Sequence, residues 1–177
     1  MIRTIQAEIK GTSALLMNRF PLVPAENATK LPPAEQAAAT AYRDEKTGEL
    51  YVPGQNLQRA LVSAATFSKG KARASLQKVA AACLMITPEI LTLGTKNFVV
   101  DSRAVVVPAT GGRIVRHRAR LNDWQLAFTL EFDDALLSEK EARKILDDCG
   151  IRVGIGDFRP ERKGPFGRFM VTNWKVD

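Results

Sequence analysis

Three arginines stand at alternate positions, Arg116, Arg118 and Arg120, in the run RIVRHRARL, and Arg113 opens the same run. In an extended chain a period of two puts such side chains on one face, about 7 Å apart. Like charges so placed repel unless a polyanion lies across them, and a nucleic-acid strand whose phosphates release counterions on contact fits that need. A solvated hairpin arm carries the same pattern. The second basic group is the stretch GIRVGIGDFRPERKGPFGRF, Gly150 to Phe169, in which Arg159, Arg162, Lys163 and Arg168 stand among five glycines and two prolines. Glycine permits close backbone approach, proline stiffens a loop, and successive N–H groups can form a nest for an anion. Phe158 and Phe166 fit base stacking and core packing equally, whereas Phe169 falls in a final strand as a core residue.

Catalytic signatures are absent: the chain has no GxxxxGK[ST] loop, no HExxH, no GxSxG and no His/Cys cluster at metal-ligand spacing. His117, the single histidine, could act as a base in phosphodiester cleavage, and Asp157 could assist strand scission. Alternation sets His117 on the face opposite Arg116, Arg118 and Arg120, and Asp157 follows Gly156 in a turn, where a carboxylate commonly caps backbone N–H groups. The chain therefore reads as a binder with no metal or cofactor, with His117 and Asp157 as the residues to test if it cleaves.

The elements that must position these groups follow from periodicity. Ile5, Ala7 and Ile9 alternate with polar residues in a first strand that ends at Gly11. Residues 21–33 hold four of the nine prolines and form a loop, and AEQAAATAYRDE is helix-prone. Leu57, Ala60, Leu61 and Ala64 repeat at helical spacing after Pro53-Gly54, and a second apolar helical stretch covers LQKVAAACLM before the short strand EILTL. Two β-rich runs around PATGG predict a long hairpin, and Trp124, Leu126, Phe128, Leu130 and Phe132 share the inner face of a core strand. Ser138 and Glu141 form a capping box for a helix with Gly150 as its C-cap, followed by the strands IRVGIG and GRFMVTNWKV. The fold class is α+β: a ferredoxin-like or RRM-like antiparallel sheet with two packing helices, an inserted helix and a long β-hairpin. Residues 1–177 form a single nucleic-acid-binding domain, with 21–54 and 97–121 as insertions or arms.

Charge is segregated along the chain. Lys and Arg number 26 against 19 Asp and Glu, a net charge of +7 and a pI near 9.7, which favours polyanionic partners. Residues 57–78 hold Arg59, Lys69, Lys71, Arg73 and Lys78 with no acid, and 103–120 hold five arginines with no acid, while acids collect between Glu131 and Asp148. Cys83 and Cys149 lie far apart in apolar helical patterns and read as buried thiols of a reducing compartment. With no signal segment and no apolar run near the ~18 residues of a membrane span, the expected location is the cytoplasm, away from membranes.

Two segments together resemble the RAMP superfamily of CRISPR-associated proteins. GIRVGIGDFRPERKGPFGRF resembles the glycine-rich loop that precedes their last strand, and YVPGQNLQRALVSAA is similar to the Ile-Pro-Gly-Ser-Ser-Leu-Lys-Gly helix start of their backbone-forming subunits. Val52, Pro53, Gly54, Leu57 and Arg59 match in kind, and Gln55-Asn56 stand where the family has Ser-Ser. The opening strand with GTSALLM is similar to their first strand. The resemblance implies an RRM-like fold that holds the sugar-phosphate backbone of RNA, often as a repeating filament. It nominates Gln55, Asn56 and Arg59 for contacts at a helix N-terminus, and Arg159, Arg162, Lys163 and Arg168 in the loop. Charge and spacing alone add Lys69, Lys71, Arg73, Arg113, Arg116, Arg118 and Arg120. The expected function is non-catalytic binding of single-stranded RNA or DNA, RNA foremost, through phosphates, with self-association or other subunits of a CRISPR-type ribonucleoprotein as partners. The alternatives are an endoribonuclease of RAMP type, and a compact phage or mobile-element protein that binds protein or single-stranded DNA in host defence or recombination.

Overall fold

The computed structural model describes residues 1–22, 27–70 and 74–177. Lys71 and Arg73 lie outside the described residues. Four antiparallel strands make the central sheet in the order β4-β8-β1-β9, built from β1 (Ile2–Gly11), β4 (Met85–Thr87), β8 (Gln125–Asp133) and β9 (Phe169–Val176). The alternation of β1 and β8 dictates their register: Ile5 faces Leu130, Ala7 faces Phe128 and Ile9 faces Leu126, all buried. A slip of one residue would turn this set to solvent, so the pattern pins the pairing.

Two helices cover the apolar face. α2 (Gly54–Ala64) buries Leu57, Ala60, Leu61 and Ala64, and α4 (Glu139–Asp148) buries Ala142, Ile145 and Leu146. Ser138 starts α4 as a capping box: its Oγ accepts from the Glu141 N–H at 3.3 Å, and the Glu141 carboxylate accepts from the Ser138 N–H at 2.9 Å. In chain order β1, α2, β4, β8, α4 and β9 run β-α-β-β-α-β, the arrangement of ferredoxin-like and RRM-like folds. The fold class is α+β, as the sequence predicts.

Everything else is inserted. Between β1 and α2 come β2 (Leu15–Leu16), α1 (Pro33–Ala39) and β3 (Tyr51–Pro53). Between β4 and β8 come β5 (Ile90–Thr92), which pairs with β3, and the hairpin of β6 (Val99–Val106) and β7 (Arg113–Leu121), which forms a second sheet with β2. α3 (Gln77–Cys83) packs beside α2.

Three local expectations are corrected. IRVGIG is not a strand: Cys149–Val153 continue α4 as one π-helical turn, closed by the Gly154 N–H on the Cys149 carbonyl at 2.7 Å. Its β-branched alternation suggests a strand, yet only Val153 of that turn's branched residues is buried, Ile151 being exposed. Gly150 is not a C-cap; it lies buried inside that turn, where a Cβ would run into the Phe169 carbonyl. The second apolar helix stops at Cys83, because Ile86 is drawn into the sheet opposite Leu130. The first strand ends at Gly11 as expected, and Leu15 and Leu16 form β2 against Leu121 and Arg120. Cys149 is buried, with its thiol pKa pushed up by desolvation, whereas Cys83 is only partly covered. No helix among the described residues is long and apolar enough to cross a membrane.

Candidate nucleic-acid interface

A cleft of about 610 Å³ opens between the α2 surface and the glycine-rich loop. Asn56, Arg59 and Ser63 line one wall; Gly154, Gly156, Asp157, Arg159 and Arg162 line the other. The sequence separates these walls by about a hundred residues. The loop wall is fixed by main-chain bonds to the segment after β1, whose Leu15 and Leu16 also line the cleft: Asp157 N–H to the Leu16 carbonyl at 2.7 Å, and Gly167 N–H to the Ala14 carbonyl at 2.8 Å. Gly156 makes that approach possible, since its φ is +79° and a Cβ would stand 2.6 Å from the Leu16 carbonyl oxygen.

These bonds change the expected role of the loop backbone. The N–H groups of Gly154, Ile155, Asp157, Gly164, Phe166 and Gly167 all donate to carbonyls of the protein itself. Those donors are occupied rather than forming an anion nest. The loop offers an anion its side chains.

Those side chains differ in availability. Arg159 donates to Glu161 at 2.6 and 3.0 Å and to the Gly156 carbonyl at 3.0 Å, so its charge is locally balanced. Arg162 and Lys163, at the exposed tip, make no ion pair among the described residues, and neither does Arg59. Arg168 is exposed and does not line the cleft; its Nη1 donates to the Ile151 carbonyl at 2.7 Å. Gln55 turns away from Asn56, into a separate groove beside Gly54 and Met85. Lys69 is exposed beyond the C-terminal end of α2.

The arginine face of the hairpin is more nearly neutral than its sequence suggests. Register sets Asp101 opposite Arg118 and Arg103 opposite Arg116. Asp101, whose side chain is 5% exposed, accepts from Arg103 at 2.6 and 2.7 Å and from Arg120 at 3.4 Å. The Arg103 guanidinium holds the Asp101 carboxyl below its usual range, against the opposing effect of burial. Arg118 is buried and paired with Asp157. Arg113 and Arg116, nearer the hairpin tip, are exposed with no ion pair among the described residues. The acid-free window of the sequence begins two residues past Asp101, so this carboxylate escapes a count of charge and appears only when the hairpin register is written out.

The phenylalanines divide too. Phe166 is buried, its ring lying 4.7 Å from the Arg103 guanidinium and 5.5 Å from that of Arg120. Phe158 is half-buried beside it, with ring centroids 6.1 Å apart. The pair clamps the hairpin to the loop. His117 lies on the other hairpin face, its Nδ1 2.7 Å from the Ser102 hydroxyl, and does not meet Asp157. Among the described residues no group of three or more His, Cys, Asp or Glu side chains could hold a metal ion.

No protein-family model matches the sequence, and no curated protein is similar to it. Among solved structures, the fold is similar to a chain of the type III-B Cmr-beta complex bound to cognate target RNA, determined by cryo-EM. The TM-score is 0.62 at 12% sequence identity, over 99% of this chain and 60% of that one. This chain thus spans about three-fifths of the length of the chain it matches, and the likeness is one of fold.

Proposed function

We propose that this protein binds single-stranded nucleic acid, RNA foremost, along the cleft between α2 and the glycine-rich loop, as a subunit of a CRISPR-type ribonucleoprotein. The observation that carries this reading is the convergence of Asn56 and Arg59 with Arg162 in one cleft. Two segments far apart in sequence bring polar and cationic groups to one channel. Phosphate contacts dominate affinity for a single strand and carry little sequence information. Arg59, Arg162 and Lys163 supply the free charge, Asn56 a neutral donor, and Arg159 a charge already oriented by Glu161. A fold shared with a chain of an RNA-bound complex supports RNA over DNA.

The test is the salt dependence of binding to a labelled single strand of mixed sequence. With about four phosphate contacts, log K should fall against log salt with a slope near −3, at about −0.7 per contact. A slope near zero overturns the reading.

A further inference from the structure

We infer that Phe67, with Arg152 against it, is a stacking platform for a nucleobase of the bound strand; this rests on the proposed binding of single-stranded nucleic acid. Phe67 ends the 3₁₀ turn Ala65–Phe67 that prolongs α2, and it is 49% exposed, unlike the buried Phe166. It stands four residues past Ser63 of the cleft wall, about one turn or ~6 Å further along the helix and its 3₁₀ extension. A strand held between α2 and the loop therefore meets this ring as it leaves the cleft.

The ring is also oriented. The Arg152 guanidinium lies 5.3 Å from its centroid and is held through its Nε, which donates to Asp148 at 3.1 Å. Asp148 is buried and also accepts from Lys144, so its charge is spent inside the protein. The outcome is an exposed aromatic and an exposed guanidinium side by side, with Lys69 two residues beyond Phe67. Aromatic rings and arginine planes are the two surfaces on which unpaired bases stack, without regard to sequence. Phe166 cannot serve because it is buried, and Phe158 is half-buried with its ring packed against Phe166.

Stacking and phosphate pairing leave different marks on binding. F67A should weaken binding of a 20-nucleotide single-stranded RNA about tenfold, the order carried by one lost base stack, with the salt slope unchanged. F67L, which keeps apolar bulk without a π face, should lose as much, and F67Y should stay within about twofold of wild type, with melting temperatures checked for all three. The emission that F67W adds to a W174F background, taken as the difference from W174F alone because buried Trp124 still emits, should be quenched on adding the same RNA. Normal affinity of F67A and F67L, or unquenched emission while anisotropy reports binding, overturns this inference and leaves the proposed function standing. A wild-type protein that binds no single strand overturns both.

Discussion

Arg118 and Asp157 lie 39 residues apart in the chain and form an ion pair that joins the hairpin to the glycine-rich loop. The arginine is buried while the carboxylate is 30% exposed, and the Nε and Nη2 of Arg118 find no partner in the protein. The two ends of this pair should respond unequally to mutation. D157A leaves a buried guanidinium without its counter-charge and should cost about 3 kcal/mol, whereas R118M leaves a carboxylate that water can reach and should cost about 1 kcal/mol. Urea unfolding of the two variants measures the difference; equal losses would contradict the asymmetry. For the same reason, any assay of Asp157 in RNA cleavage should use D157N with its stability measured alongside.

Arg162 and Lys163 project from the loop tip without ion pairs among the described residues, so they can be changed at little structural cost. The double variant R162Q/K163Q should keep the wild-type melting temperature within about 2 °C and flatten the salt slope by about 1.4, the loss of two phosphate contacts. Fluorescence anisotropy at four salt concentrations checks both numbers. Arg159 offers a contrast: because Glu161 already neutralises it, R159Q should change the slope less than R162Q.

Asp101 gives the hairpin a defined acid sensitivity. Its folded pKa is depressed, first by hydrogen bonding from Arg103 and despite burial, below the 3.8 of an unperturbed aspartate. The folded state therefore binds fewer protons than the unfolded state around that pH. The stability Asp101 contributes is present above about pH 4 and lost as pH falls through the lower folded value. D101N should cost about 2 kcal/mol at pH 7 and progressively less below pH 4, where the two proteins converge. Thermal melts between pH 2.5 and 7 follow this directly, and a gap that stays constant to pH 2.5 would refute it.

Gly156 combines a φ of +79° with contact to the Leu16 carbonyl. G156A should push the loop off β2, costing about 2 kcal/mol and weakening RNA binding with it, since one wall of the cleft moves. S138A, which removes the capping box of α4 far from the cleft, should cost about 1 kcal/mol and leave affinity unchanged. Comparing the two separates a general loss of stability from a lost cleft.

The sheet and its helices were legible because their residues follow a single period: β1 and β8 alternate by two, and α2 repeats by 3.6. Alternation misled at Cys149–Val153, where the branched residues resemble a strand while the helix runs on past Gly150 until Gly154 closes its last turn. Local pattern could not show this, because what holds Gly150 is Phe169, nineteen residues away. The same limit applied to the site. Positive charge was visible residue by residue, yet which arginines are free depends on Asp101, Asp157 and Glu161, and two of those pairings require the folded hairpin. Phe166 is engaged by Arg103 and Arg120 through tertiary contacts alone, so a choice between stacking and core could not be made from its neighbours in sequence.

The stitching of the loop to residues 14–16 has a temporal side. A chain made from its N-terminus presents Arg103, Arg113, Arg116, Arg118 and Arg120 well before Asp157 exists, and β1 waits for both β8 and β9 before its sheet closes. Such distant pairings form slowly. Until they do, Arg118 is an ordinary solvated cation, as ready as its neighbours to settle on any passing polyanion. Pairing with Asp157 withdraws it into the interior. Folding thus takes one of the five arginines of this ribbon out of solvent, and a carboxylate of the glycine-rich loop decides which charge of the hairpin is withdrawn.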